Sequence, residues 1–452
     1  MSDRSRLLSR GCPPAPNRRQ VMLGSMAAGS ALLFGAPVAS ATGSRAAADA
    51  TPGVRHIRYH RFADIFAWLC GEARGVIPTP FGLRILVPCG TREFADPTVK
   101  DAPTKLYDVG TWTSPWRTNG FGLTELISSW NADTPNGTWI EVNVRGHAED
   151  GTLTDWFVLG RWCSNDPAQG GAIQRQSLDG QGTDYATVWT DTFHTYGDHT
   201  LTDFQLRVQL LRPHGTRLTP TVRFLGAVAS ALPDDATVPV SAFTLGREHI
   251  LDVPSFSQEL HVGQYPQWDN GGEAWCSPTS SSMVLAYWRR GPRKADLSWV
   301  DPSYVDPQVD YAARNCYDYV YEGCGNWPFN TAYTSRFGLE GFVTRLRSLA
   351  EAEPFIAAGI PVITSVSFKS SELSGAGYST DGHLMVLVGF TKDGDPVMND
   401  PASHLIADDK QVRVTYQREQ FENTWVPHSG GTVYINHPPY VRLPRAPREA
   451  NW

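Results

Sequence analysis

Between about Val54 and Ala229, apolar and polar residues alternate over short stretches. In TWIEVNVRG, Ile140, Val142 and Val144 share one parity, while Glu141, Asn143 and Arg145 share the other. DFQLRVQLL repeats the pattern with Phe204, Leu206, Val208 and Leu210, and TVRFLGAV adds Val222 and Phe224. A period of two sends alternate side chains to opposite faces of a strand, and TPNG, EDG and LDGQG supply the turns. The pattern predicts an antiparallel β sandwich or jelly roll over 54–230.

ALPDDATVPVSAFTLGRE (231–248) breaks both periods with prolines and acids and reads as a linker. Beyond it the texture changes. Met283, Val284, Tyr287 and Trp288 recur at helical spacing, and EAEPFIAAGI forms a second short helical pattern. PVITSVSF, HLMVLVGF, DPVMND and GTVYIN then read as strands. Helices followed by antiparallel strands predict an α+β domain over 249–440.

The first 41 residues are a different material. PNRRQVMLGSMAAGSALLFGAPVASATG has a polar, arginine-bearing start, a small and apolar middle, and a cleavage-type site at Ala39-Ser40-Ala41. That is the plan of an export signal. Arg18-Arg19 followed by Gln20 and Val21-Met22-Leu23 resembles the twin-arginine signal of bacteria, with an ordinary secretory signal as the alternative. Either predicts a secreted or wall-associated protein. No later apolar run is long enough to span a bilayer. Losing residues 1–41, which carry five arginines and one aspartate, takes the formal charge from −7 to −11. An acidic chain without a lysine block argues against nucleic acid or anionic lipid as its main partner.

Seven cysteines occur, of which Cys12 lies in the signal. Outside the cytoplasm, Cys316 and Cys324 could close a small loop, and Cys70 with Cys89 is a weaker pairing. If Cys276 is free, an odd number of other cysteines remains, so at least one more thiol is free.

Cys276 stands in GGEAWCSPTSSSMVLAYW. Ser277 can cap a helix and Pro278 suits its first position, so a helix is expected directly after Cys276. A helix N-terminus favours thiolate over thiol, which is what a nucleophile requires. The pair Gly271-Gly272 leaves room for another backbone to approach. A nucleophile also needs a base and a group to orient that base. DGHLMVLVGF sets His383 near the head of an apolar strand, and VMNDPAS sets Asn399 and Asp400 just past the next one. Taken singly these are a structural thiol, a surface histidine and an Asp-Pro turn. In this order they have the sequence of a cysteine hydrolase. No His-Glu-x-x-His run or paired Cys-x-x-Cys occurs, the histidines of HIRYH (56–60) fit a strand better than a metal site, and no cofactor is expected.

LDVPSFSQ, GGEAWCSPTSSSMVLAYW, GNWPFNTAY, AGIPVITSVSF, DGHLMVLVGF and MNDPA together resemble the peptidase C39-like family of papain-fold cysteine peptidases, over 250–435. The resemblance implies Cys276 as nucleophile, His383 as base and Asp400 as orienting acid. It also implies a glutamine that binds the oxyanion beside the cysteine N–H. Gln258 fits the family's Pro-x-x-x-Gln phrase, although its spacing to Cys276 is long and Gln264 and Gln267 lie nearer. Ser277 stands where many relatives have glycine. CYDYVYEGCGNWPFNTAYTSRFGL is dense in aromatics; it could wall a cleft through Trp327 and Tyr333 or fill the core. The family's double-glycine specificity belongs to transporter-linked members, and this chain has no transporter segments.

Two classes of function stand open. One is an exported hydrolase acting on peptide bonds or on amide bonds of cell-wall peptide. The other is a catalytically inactive surface protein whose β domain holds glycan or wall polymer. Trp112, Trp116, Trp130, Trp139, Trp156 and Trp162 are the candidate face, unless they fill the β core.

Overall fold

The alternating half of the chain folds as two seven-stranded antiparallel sheets in the computed structural model, which describes residues 53–403 and 408–452. The segment read as an export signal lies outside the described residues. One sheet is centred on the paired strands Glu125–Asp133 and Thr221–Ala231, with His56–Phe62 along the latter. The other is centred on Trp139–Ala148, Leu201–Pro213 and Lys105–Thr113. Leu126 and Trp130 of the first sheet share a core with Ile140, Val142, Val144, Leu206 and Val208 of the second.

The parity read from the sequence therefore marks the inner face. The outer face differs from the expectation, because Glu141 and Asn143 are buried too. Glu141 accepts from Arg92 at 3.1 Å and Arg161 at 2.8 Å, and Arg207 donates to Asn143 at 3.1 Å. The Trp156 ring lies between the guanidinium groups of Arg145 and Arg207, at 4.5 and 4.2 Å. These partners come from distant strands, so local alternation could not foretell the covering. Of the six tryptophans named above, Trp112, Trp130, Trp139 and Trp162 are fully buried. Trp139, of the same parity as Glu141, is covered on the outer face, and only Trp116 and Trp156 of the six are partly exposed.

The remaining chain builds a third antiparallel sheet, ordered Glu340–Arg345, Thr432–His437, Val362–Phe368, Thr380–Phe390, Pro396–Asn399 and Arg413–Thr415. Helices Cys276–Tyr287, Pro307–Cys316 and Trp327–Ser335 lie among these strands and the β half. The strand Glu340–Arg345 and the helix Arg418–Ser429 have no clean period in the sequence, whereas Pro307–Cys316 buries Val309, Ala312, Ala313 and Cys316 at helical spacing. The segment 231–248 is irregular but anchored: Ser241 donates to Glu422, Thr244 to Glu353, and Phe243 packs near Phe390.

The two halves share apolar cores. Ile57, Ile127, Phe224 and Val228 belong to the core of the C-terminal half, while Leu285, Phe329 and Tyr333 belong to that of the β half. Phe329 meets Trp162 at 5.4 Å and Trp130 at 6.0 Å. Burying such a side chain contributes about 2–3 kcal/mol. Asn131 completes the seam by hydrogen-bonding both the N–H and the C=O of Gly341.

The six described cysteines are free, which corrects both suggested disulfides. Cys316 faces the core shared with the β half, whereas Cys324 sits in a separate cluster with Trp268 and Trp275 and donates to Ala313 O. Burial pushes both thiols up. Cys89 donates to Val109 O rather than meeting Cys70. His56 and His60 lie on a strand, bonded to Glu449 and Asn119.

Candidate active site

Cys276 is the first residue of its helix, two positions before Pro278, where the first turn was expected to start. Trp275 holds the capping position without a side-chain cap, and Ser277 instead bonds the Tyr434 hydroxyl at 3.0 Å. Residues 276–285 are all buried, since the small Ser and Thr side chains let neighbours approach on every side. The sulfur therefore lies in the first turn, where unpaired N–H groups and the helix dipole favour negative charge.

The loop before Cys276 comes close to the turn carrying Gln258. A Cβ at Gly272 would stand 2.3 Å from Gln258 O, and Gly271 has a φ of +92° that an L side chain rarely adopts. Gln258 opens the short turn Gln258–His261 and is almost fully buried. Its N–H donates to Pro401 O at 3.0 Å, and its amide donates to Glu273 O at 2.8 Å and touches the Glu259 carboxyl. It thus ties the loop before Cys276 to the residue after Asp400. Gln264 is spent on His261 and Leu260, and Gln267 is exposed.

His383 lies four residues into Thr380–Phe390, and Asp400 directly follows the paired strand Pro396–Asn399. The antiparallel pairing of Val386 with Asn399 brings the two together. His383 Nε2 stands 2.8 Å from Asp400 Oδ1, with both side chains buried. Cys276 lies close enough to the same imidazole to help raise its pKa, and Nδ1 is the ring nitrogen that Asp400 leaves to it.

Asp400 is held from every side. Tyr378 donates at 2.9 and 3.0 Å, Tyr416 at 2.7 Å, and the Ala402 N–H at 3.0 Å. Burial opposes charge on this carboxyl, yet His383, Tyr416 and Tyr378 hold it below the usual range. Burial likewise opposes the imidazolium, but Asp400 and then Cys276 outweigh it and raise His383 to about 10. Neither tyrosine was found from the sequence. Tyr378, five residues ahead of His383 in an otherwise polar loop, was the only available signal.

The aromatic segment divides between its two readings. Tyr333 is fully buried, while Trp327 borders a cavity beside His383. Among the described residues no cluster of His, Cys, Asp and Glu could hold a metal ion, and no helix is long and apolar enough to cross a membrane.

Residues 58–230 match the family described as the peptidase C39 N-terminal domain, and residues 250–433 match the peptidase C39-like family. No curated protein matches the chain. Among solved structures, a protein of infectious bursal disease virus strain Gt aligns at 11% identity with a TM-score of 0.17, over 43% of this chain and 36% of that one. A subviral particle of the same virus, built from VP2, aligns at 10% identity with a TM-score of 0.15, over 43% and 37%. The chain spans about a third of these viral chains, a likeness too slight to bear on fold or function.

Proposed function

We propose that this protein is a cysteine hydrolase of peptide or amide bonds, with Cys276 as nucleophile, His383 as acid and base, and Asp400 as the group that orients it. One observation carries the reading: a single buried imidazole stands 2.8 Å from Asp400 and near enough to Cys276, at a helix start, for Cys276 to help raise its pKa. The C39-like match over 250–433 supports a peptidase-related chemistry and a papain-like arrangement of this half. We read the two packed sheets as a β sandwich that accompanies it, and residues 1–41 as a leader for export.

In the reaction, the Cys276 thiolate attacks the substrate carbonyl carbon, and a C–S bond forms as the C=O electron pair moves onto oxygen. The Cys276 N–H receives that oxyanion, and the Gln258 amide joins it by releasing Glu273 O. His383 gives its proton to the leaving nitrogen as the C–N bond breaks. Water then attacks the thioester while His383 takes a proton from it, and the thiolate and a carboxylic acid are released. Asp400 keeps the ring turned correctly and stabilises its cationic form. The burial of four of the six tryptophans leaves the glycan-holding reading with only Trp116 and Trp156 as a face.

The test is digestion of a mixed peptide library by the purified protein, read by mass spectrometry. New termini are expected with wild type and none with Cys276→Ala. An identical digest from both proteins would reject the reading.

A further inference from the structure

The outer face of the sheet built on Trp139–Ala148 and Leu201–Pro213 carries a row of rings and cations. His147 lies against Trp116 at 4.4 Å, and Arg145 stands 5.5 Å from that indole and 4.5 Å from Trp156. Arg207 closes the row, 4.2 Å from Trp156. The C-terminal half packs on the other sheet, against Ile127, Phe224 and Val228, so this face is turned away from the half that carries Cys276.

The indole faces are taken up by these neighbours, which leaves the edges of the guanidinium groups as the free chemistry. Their hydrogen-bond partners are neutral: Arg145 donates to Gln205 through Nε and Nη2, and Arg207 donates to Asn143 through Nε. The remaining Nη groups make no hydrogen bond among the described residues and are open to solvent. Nearby acids are engaged elsewhere. Glu141 is bonded to Arg92 and Arg161, Asp203 to the His147 ring at 2.7 Å, and Asp96 to Thr98, Gln174 and Gln176. Asp155, beside Trp156 in the chain, is exposed and forms no ion pair with either arginine. Burial pushes the Arg207 guanidinium down, Glu141 opposes this, and Arg145 and Arg92 add to it. Two half-buried cations thus stand without a counter-charge of their own in a chain whose net charge is −7.

We propose that Arg145 and Arg207 form a binding site for oxyanions, phosphate or carboxylate groups repeated along a chain, through which the β half holds an anionic polymer. The site is independent of the hydrolase reading. A guanidinium fixed over an indole loses little freedom on binding, and its paired N–H groups match two oxygens of either anion. Two cations on one indole let successive charges of one chain bind together.

The test is titration calorimetry of the full protein at low salt with poly(glycerol phosphate), poly(glutamate) and uncharged dextran. Binding of one or both anionic polymers, weakened by added salt, is expected, and the pair tells phosphate from carboxylate as the source. Arg145→Gln combined with Arg207→Gln should weaken that binding at least about tenfold. Arg84→Gln combined with Arg293→Gln removes the same charge from exposed positions elsewhere and should change it by less than about twofold. No binding of either polymer, an equal loss in both double variants, or dextran bound as tightly as the anions overturns the site. Should the first double variant fail to fold, phenylglyoxal labelling of wild type takes its place. Bound polymer should then slow modification of Arg145 and Arg207 but not of Arg293, and unprotected Arg145 and Arg207 overturn the site.

Discussion

Two buried carboxylates, Glu141 in the β half and Asp400 in the C-terminal half, are satisfied in opposite ways. Glu141 is clamped by the guanidinium groups of Arg92 and Arg161, which stay charged at any pH the protein meets. Asp400 is held by two tyrosine hydroxyls, one backbone N–H and an imidazole. Both carboxyls are pushed down by their partners against the cost of burial. The first network has no proton to exchange near neutrality and can only hold strands together. The second ends on a ring whose pKa is raised by Asp400 and by the neighbouring Cys276, so it can do chemistry.

The sharpest way to break this comparison is to neutralise each acid in turn. Asp400→Asn should lower kcat by about 10²–10⁴-fold with the fold retained, because the ring loses its orientation and its counter-charge. Glu141→Gln should leave kcat within about twofold, yet destabilise by about 3–5 kcal/mol as two guanidinium groups lose their partner. Peptide hydrolysis and thermal unfolding of the two variants, measured side by side, check both. Equal effects on activity would erase the distinction.

Titration sharpens it. His383 is raised from 6.5 to about 10 in the folded state, so its stabilising contribution is complete below 6.5 and is lost as pH rises through about 10. Wild type should therefore lose melting temperature between those values in a scan from pH 6 to 11. His383→Gln should show a flatter profile, and Glu141→Gln should keep the wild-type slope. Activity should fall on the alkaline side as well, since the proton needed by the leaving amine is gone.

Smaller effects follow from the outer partners. Tyr416→Phe removes one of several bonds to Asp400, worth about 1 kcal/mol, and should cost kcat about two- to tenfold while KM holds. Arg207→Met, which removes one of the two cations over Trp156 and a hydrogen bond to buried Asn143, should cost about 1–2 kcal/mol of stability and no activity.

What could be read in the sequence follows the same division. Ile140, Val142 and Val144 announced an inner face because burial there obeys the local period. Glu141 could not be seen as buried, since Arg92 and Arg161 arrive from other strands. Cys276, His383 and Asp400 were legible because helix start, strand start and strand end are local features. Tyr378 and Tyr416 were not, because a tyrosine that donates to a buried carboxyl looks like any other tyrosine in the chain. The pairing of Cys316 with Cys324 failed for a related reason: eight positions apart in sequence, they face different cores.

The central claim is that the Cys276 sulfur and the His383 ring form one unit, and the pH dependence of Cys276 alkylation by iodoacetamide tests it most directly. Peptide-mapped modification should be rapid even at mildly acidic pH in wild type and should become slow in His383→Ala. A rate matching that of a simple thiol in both proteins, rising only towards alkaline pH, would contradict it.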